Sequence, residues 1–313
     1  MWQIQLVTPA ALIGVFVFAF GLIIGSFLNV CIVRIPGRKS IVTPASACPR
    51  CGAPIRPYDN IPVVSYLLLG GRCRVCKMRI SAMYPLVELL TALLFFACYR
   101  AFGLTAEGLK WAAFSALMIV LVFTDLRERI LPDVVTYTGF GLGLAFSLLT
   151  NPTDGAAQWL AYRMFGFSAP APLLSFADAV FGAAVGSGLL WLVSEAYFRL
   201  RGREGMGQGD VKMMLMAGAF LGAKRTLLTI LAGSLLGSVV GLFLIGFLYL
   251  SGWKSEVASR AQRMGLGTAK TLRCVLVQRY QLPFGTYLGF AGIVVFLFGT
   301  PVVNWYQALL MVR

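Results

Sequence analysis

Apolar runs recur along the chain, separated by short polar or basic stretches. They cover residues 10–33, 84–102, 108–126, 132–150, 176–198, 211–223, 226–250 and 284–309. A helix that crosses a bilayer needs about 20 mostly apolar residues, and all but the run at 211–223 come near that length. The pattern changes between residues 34 and 83, where Pro, Gly, Arg and Cys accumulate and no apolar run is long enough to span. The pattern therefore predicts an all-α polytopic membrane protein of about eight transmembrane helices. A small polar insert separates the first helix from the second. The expected divisions are 1–33, a first spanning helix; 34–83, the insert; and 84–313, the rest of the membrane domain. The first run has no Lys or Arg before it and is too long for a signal-peptide core, so it reads as a retained helix. No internal repeat is expected.

Composition agrees with a bilayer protein. The 313 residues are 58% hydrophobic and only 12% charged, where a soluble domain carries about 25%. Lys and Arg number 27 against 12 Asp and Glu, a formal charge of +15. The distribution of this excess sets a topology. Arg34, Arg38 and Lys39 follow the first run, and Arg50, Arg56, Arg72, Arg74, Lys77 and Arg79 lie in the insert against the single acid Asp59. Arg199, Arg201 and Arg203, and the long stretch 251–283, are also basic. By the positive-inside rule these segments face the cytoplasm and both termini face out. Lys224 and Arg225 run against this trend. The basic excess is thus a topology signal that also suits anionic lipid, and nucleic acid is not an expected partner.

The chain contains no histidine. That excludes Ser-His and Cys-His catalysis and any imidazole metal ligand. Acid–base chemistry falls to carboxylates, Lys, Tyr or Cys.

Cys48-Pro-Arg-Cys51 and Cys73-Arg-Val-Cys76 form two C-x-x-C pairs 21 residues apart. Each pair can turn two thiolates toward one ion, and two pairs complete a tetrahedral sulfur shell suited to structural Zn²⁺. Gly52 permits the tight turn after the first pair. A redox or disulfide role is disfavoured on the cytoplasmic side. An ion would also staple an insert too small to build much core. Cys31, Cys98 and Cys274 stand apart and read as small hydrophobes.

Carboxylates near lipid are costly and commonly functional. Asp125 ends the apolar run Leu117–Thr124, and Asp210 lies in Gly207-Gln208-Gly209-Asp210-Val211-Lys212. The topology puts both at a cytoplasmic helix end. Two adjacent carboxylates share a proton, so one can act as base on water while the other acts as acid. Gly207 and Gly209 would let a substrate strand approach. The competing reading is a plain helix entry with Asp210 as N-cap. Lys212 could touch the substrate or snorkel at a helix end. Asp133 and Asp178 look like ordinary helix-start acids, and Glu195 and Glu204 look paired with nearby arginines. Glu88, inside an apolar run, is either a structural polar contact or part of a ligand site.

Taken together, these motifs resemble the bacterial type IV prepilin peptidases, the leader peptidase/N-methyltransferases of pilus and type II secretion systems. The resemblance rests on Gly25-Ser26-Phe27-Leu28-Asn29-Val30 with Arg34 and Pro36, the paired C-x-x-C motifs, and Tyr84-Pro85-Leu86-Val87-Glu88. It continues through Asp125 with Ile130-Leu131-Pro132-Asp133 and ends on the segment Gly207–Lys212. It implies an aspartic peptidase of the GxGD type with Asp125 and Asp210 as the catalytic pair. The substrates implied are prepilins and pseudopilins, cut after a Gly and before a Phe-like residue at the cytoplasmic face of the inner membrane. It also implies methylation of the new N-terminus by S-adenosylmethionine, associated with the N-terminal region, with Glu88 as a candidate residue. No Gly-rich nucleotide loop is present to place that donor. Two other classes compete. A secondary transporter would also use intramembrane carboxylates, and a zinc-stapled scaffold would use the insert alone.

Overall fold

The computed structural model describes residues 9–153, 155–166, 170–203, 205–250 and 283–311. Its elements are α1 (Pro9–Arg34), α2 (Val64–Leu68), α3 (Met83–Phe102), α4 (Ala106–Glu128), α5 (Asp133–Ser147), α6 (Ala156–Phe165), α7 (Ala171–Arg201), α8 (Gln208–Leu250) and α9 (Phe284–Met311). No named strand occurs among the described residues. Five helices (α1, α3, α4, α7 and α8) are long and apolar enough to cross a membrane. Every expected apolar segment is helical.

The first two spanning helices, α1 and α3, lie against each other in a fixed antiparallel register. A Cβ on Gly21 would sit 2.6 Å from the Ala92 Cα, and one on Gly25 would sit 2.6 Å from the Glu88 Cα. One turn further on, the Asn29 side-chain amide donates to the Tyr84 carbonyl at 2.9 Å. Four residues forward on α1 thus match four residues back on α3. Small residues at this spacing let the two backbones touch, which is how helices associate where lipid offers no hydrophobic drive.

The expected runs 211–223 and 226–250 both belong to α8, and the break falls at Gly222 rather than at Lys224-Arg225. Gly222 has φ 75° and ψ 175° inside otherwise helical chain, a conformation open to glycine and strained for other residues. A Cβ on Gly186 of α7 would lie 2.5 Å from the Met214 carbonyl oxygen and 2.8 Å from the Thr226 methyl. Those two residues would be about 18 Å apart along a straight helix. The chain therefore doubles back at Gly222 into two antiparallel arms, 208–221 and 223–250. Thr226 caps the turn by donating its hydroxyl to the Gly222 carbonyl at 2.5 Å. With the arms counted separately, eight helical segments stand where eight were expected. The additional helix α6 fills part of the connection 151–175.

The core lies where α4, the first arm of α8 and α9 meet. Phe114, Met118, Leu121, Met213, Met216, Phe220 and Leu288 are all fully buried there. Trp111 stacks on Phe296 of α9 with ring centroids 4.7 Å apart. α7 packs along α8, and α9 packs against both α8 and α4. This packing brings the end of α4 and the start of α8 to the end of the bundle that carries the insert.

Candidate active site and metal centre

Asp125 sits buried in the last turn of α4. Its carbonyl accepts from the Arg129 N–H at 2.9 Å, and Arg129 adopts the left-handed conformation that closes the helix. Asp210 lies in the first turn of α8, which begins at Gln208. Its N–H donates to the Gly207 carbonyl at 3.2 Å. It is therefore inside the helix, and the N-cap alternative does not hold. Gly207 and Gly209 are not among the positive-φ residues. The service of Gly209 is space, because a Cβ there would stand 3.0 Å from the Leu131 Cβ.

The two carboxylates converge on a third element that sequence reasoning missed. A Cβ on Gly285, in the first turn of α9, would lie 2.9 Å from Asp210 Oδ1 and 3.0 Å from Asp125 Oδ2. These two oxygens are therefore no more than 5.9 Å apart, so both carboxylates face one small space. The neighbouring Thr286 donates to Asp125 Oδ2 twice, from its backbone N–H at 2.6 Å and its hydroxyl at 2.9 Å. The available signal was Pro283-Phe284-Gly285-Thr286, a turn sequence at the start of the last apolar run and on the same edge as both aspartates.

Lys212 points away from the pair. Its ammonium donates to Asp133 Oδ1 at 2.7 Å and lies 5.7 Å from the centroid of the Tyr137 ring. It ties the start of α8 to the start of α5. Asp133 is the first-turn acid of α5 that its place at the helix start suggested, with Pro132 as N-cap, and it also partners Lys212. Asp178 is fully buried in α7 and caps a different helix, accepting from the Gly155 and Ala157 N–H groups of α6 at 2.9 and 2.6 Å. Glu195 pairs with Arg199 at 2.8 Å, as expected. Glu204, Cys274 and the basic residues of 251–282 lie outside the described residues.

The four cysteines form one cluster. The sulfurs of Cys48, Cys51, Cys73 and Cys76 all lie within 4.8 Å of one another, and those of Cys48 and Cys76 are 3.8 Å apart. Four sulfurs at 2.3 Å from a tetrahedral centre stand about 3.8 Å apart, so donor set and spacing both fit a metal ion. The two knuckles are copies of one another, a repeat not anticipated. Cys48 N–H donates to Ala53 O and Gly52 N–H to Cys48 O; likewise Cys73 N–H donates to Met78 O and Lys77 N–H to Cys73 O. Gly52 and Lys77 occupy equivalent positive-φ positions at 68° and 56°. Backbone N–H groups of Cys51 and Arg50 pull the Cys48 thiol down to about 6, which favours the thiolate a metal needs. Arg74 grips Asp59 at the rim and holds its carboxyl below the usual range.

Glu88 is buried at the root of the insert. Its Oε2 accepts from the Val63 N–H at 2.7 Å. Val63 has φ 60°, a genuine outlier for a β-branched residue. Glu88 thus pins a strained turn of the insert to α3. Beside it, Asn29 Oδ1 is buried without a hydrogen-bond partner.

These features define a class: a multi-pass helical membrane protein with two converging carboxylates at the end of the bundle that carries a four-cysteine insert. Comparison with known proteins narrows it. The model of the type IV leader peptidase family matches residues 112–242, and that of the bacterial peptidase A24 N-terminal domain matches residues 19–102. The chain belongs to the type IV leader peptidase family. It is similar to the prepilin leader peptidase/N-methyltransferase of Pseudomonas putida, 33% identical over 321 residues, 96% of this chain and 95% of that protein. A protein of the same description from Aeromonas hydrophila is 34% identical over 93% of this chain and 92% of its own length. The one from Myxococcus xanthus is 41% identical over 234 residues, and that match spans 75% of this chain but 64% of the relative. No solved structure matches the chain.

Proposed function

We propose that this chain is a prepilin leader peptidase and N-methyltransferase of the bacterial inner membrane, with Asp125 and Asp210 as its catalytic pair. The observation that carries this reading is the convergence of two buried carboxylates on Gly285, in a chain with no histidine to offer an alternative. The names borne by its relatives supply the two reactions. One aspartate takes a proton from water as the water oxygen bonds to the scissile carbonyl carbon. The other gives its proton to the carbonyl oxygen. As the C–N bond then breaks, the first aspartate protonates the departing nitrogen, and a hydroxyl of the intermediate returns a proton to the second. Both carboxyls end as they began. Prepilins and pseudopilins are the substrates, their apolar helices entering the bilayer beside the enzyme. Nucleic acid has no part in this reading.

The insert and both aspartates face the cytoplasm, where the basic residues Arg34, Arg38, Lys39 and Arg50 hold them. Residues 34–83 form the methyltransferase-associated module, with residues 1–33 as its leading helix and residues 84–313 as the peptidase domain. Gly207 and Gly209 shape the peptidase site, and Lys212 braces it through Asp133. Zn²⁺ is the metal that best suits four thiolates at these separations, and in a closed sulfur shell it would be structural. S-adenosylmethionine supplies the methyl group when bound. The Glu88 carboxylate and the unpaired Asn29 Oδ1 are acceptors suited to the cationic and amino groups of such a donor, and they would hold it at the root of the insert.

The test follows a leader-bearing prepilin by mass spectrometry with the purified enzyme, with and without S-adenosylmethionine. Wild type is expected to remove the leader and then add one methyl. Asp125→Asn and Asp210→Asn are expected to leave the leader in place. Cleavage by both variants at wild-type rate would overturn the assignment of the pair.

A further inference from the structure

The contacts that α9 makes on the two aspartates are unequal. Thr286 directs two donors at Asp125 Oδ2. Two donors directed at one carboxylate favour its ionised form, the form that can take up a proton. Among the described residues no donor reaches the Asp210 carboxylate, and its Oδ1 lies within 5.9 Å of Asp125 Oδ2. The pair is therefore asymmetric before any substrate arrives: the last helix supplies both hydrogen bonds to Asp125, and the Arg129 cation acts on the same carboxylate.

Gly285 adds a second constraint. The methyl group of an alanine there would meet Asp210 Oδ1 at 2.9 Å, Asp125 Oδ2 at 3.0 Å and the Leu131 Cδ1 at 2.9 Å. It would intrude between the carboxylates from the α9 side. With glycine, α9 presents only a hydrogen to that gap. Gly285 has no positive φ, so backbone conformation does not demand glycine here. The requirement is for empty space.

We infer that the first turn of α9 is the third component of the peptidase site: Gly285 keeps open the space for the attacking water, and Thr286 is the positioning residue that fixes Asp125 as base and Asp210 as acid. Asp125 then accepts the water proton while the water oxygen bonds to the carbonyl carbon, and Asp210 gives its proton to the carbonyl oxygen. This rests on the catalytic pair proposed above and goes further, because it divides the labour and adds two residues 160 and 161 positions away from Asp125 in the chain.

The experiment compares five variants in the leader-removal assay: Asp125→Asn, Asp210→Asn, Gly285→Ala, Thr286→Val and Thr286→Ser. Each is also checked for helix content, thermal unfolding and metal content. Gly285→Ala is expected to lose about 100-fold in kcat while remaining folded, the loss typical of displacing reacting groups by an ångström. Alanine is the better helix former, so the helix itself is not weakened. Thr286→Val is expected to lower kcat about tenfold with KM within about twofold, as for one hydrogen bond to a charged group. Thr286→Ser is expected to restore the wild-type rate. If the Asn variants are dead while Gly285→Ala and Thr286→Val cleave normally, the role of α9 is overturned and the pair stands. If the Asn variants cleave normally, the pair itself fails. If Gly285→Ala misfolds, the Thr286 variants decide: a Val loss confined to kcat and restored by Ser supports the inference, and equal loss in Val and Ser, or none in either, overturns it.

Discussion

The insert and the aspartate site are held together by opposite means. The insert is almost all local: its two knuckles each close within ten residues through the same backbone hydrogen bonds, and most of its side chains are exposed. The four thiols supply what its small core cannot. The aspartate site has no local unit at all. It exists because α4, the first arm of α8 and α9 pack together and bring positions 125, 210 and 285 to one point. One region rests on local turns and a four-thiol cluster fit to hold a metal, the other on helix packing. Each should therefore be separable from the other by mutation.

The sharpest test of that independence is Asp210→Asn. Leader removal should fall by at least about 1,000-fold, the scale seen when a member of a catalytic unit is lost. Metal content, read by atomic emission, should stay at the wild-type value. Cys51→Ser should do the reverse. Structural metal sites of this kind are worth on the order of 10 kcal/mol to the fold they organise. The insert should lose its metal and become protease-sensitive, and methyl transfer should fail, while leader removal keeps a substantial fraction of its rate. Equal loss of both activities in both variants would show that the two regions act as one.

Smaller effects sharpen the comparison. Gly209→Ala would push a methyl to 3.0 Å from Leu131, which itself touches the Gly285 position. Leader removal should fall about 10-fold to 100-fold, as expected for shifting a reacting group without deleting it. The smallest expected effect belongs to Lys212→Met. Its pair with Asp133 is partly exposed, with 30% and 58% of the side chains accessible, and such pairs contribute about 1 kcal/mol or less. Leader removal should change less than about threefold and thermal stability only slightly.

The two regions also differ in how far the sequence revealed them. The cysteine cluster was legible because its signal is local: C-x-x-C spacing and a glycine turn lie within a few residues of each other. The apolar segments were legible for the same reason. The turn at Gly222 was displaced because Lys224 and Arg225 gave the stronger polar signal, whereas the bend needed only one residue able to adopt φ 75°. Asp178 was read as an acid at the start of its own helix, yet α7 begins at Ala171 and Asp178 reaches across to α6. Gly285 and Thr286 carry no charge and sit at the mouth of an apolar run. Only tertiary packing turns them toward Asp125, so nothing in their own neighbourhood announced the contact.

The shortness of α5 and of the first arm of α8 has a consequence for the lipid. At about 1.5 Å per residue, the 15 residues of α5 and the arm 208–221 each reach only about 22 Å. The hydrocarbon slab of a bilayer is about 30 Å thick. Thinning of the surrounding leaflets is one response to such a hydrophobic mismatch. A substrate helix arriving beside these segments loses apolar cover over its last turn or two, and that length of chain can unwind into the extended form a peptidase must grip. Acyl-chain length thereby becomes a control on the reaction: leader removal should run faster in short-chain than in long-chain vesicles, with the same protein and the same substrate.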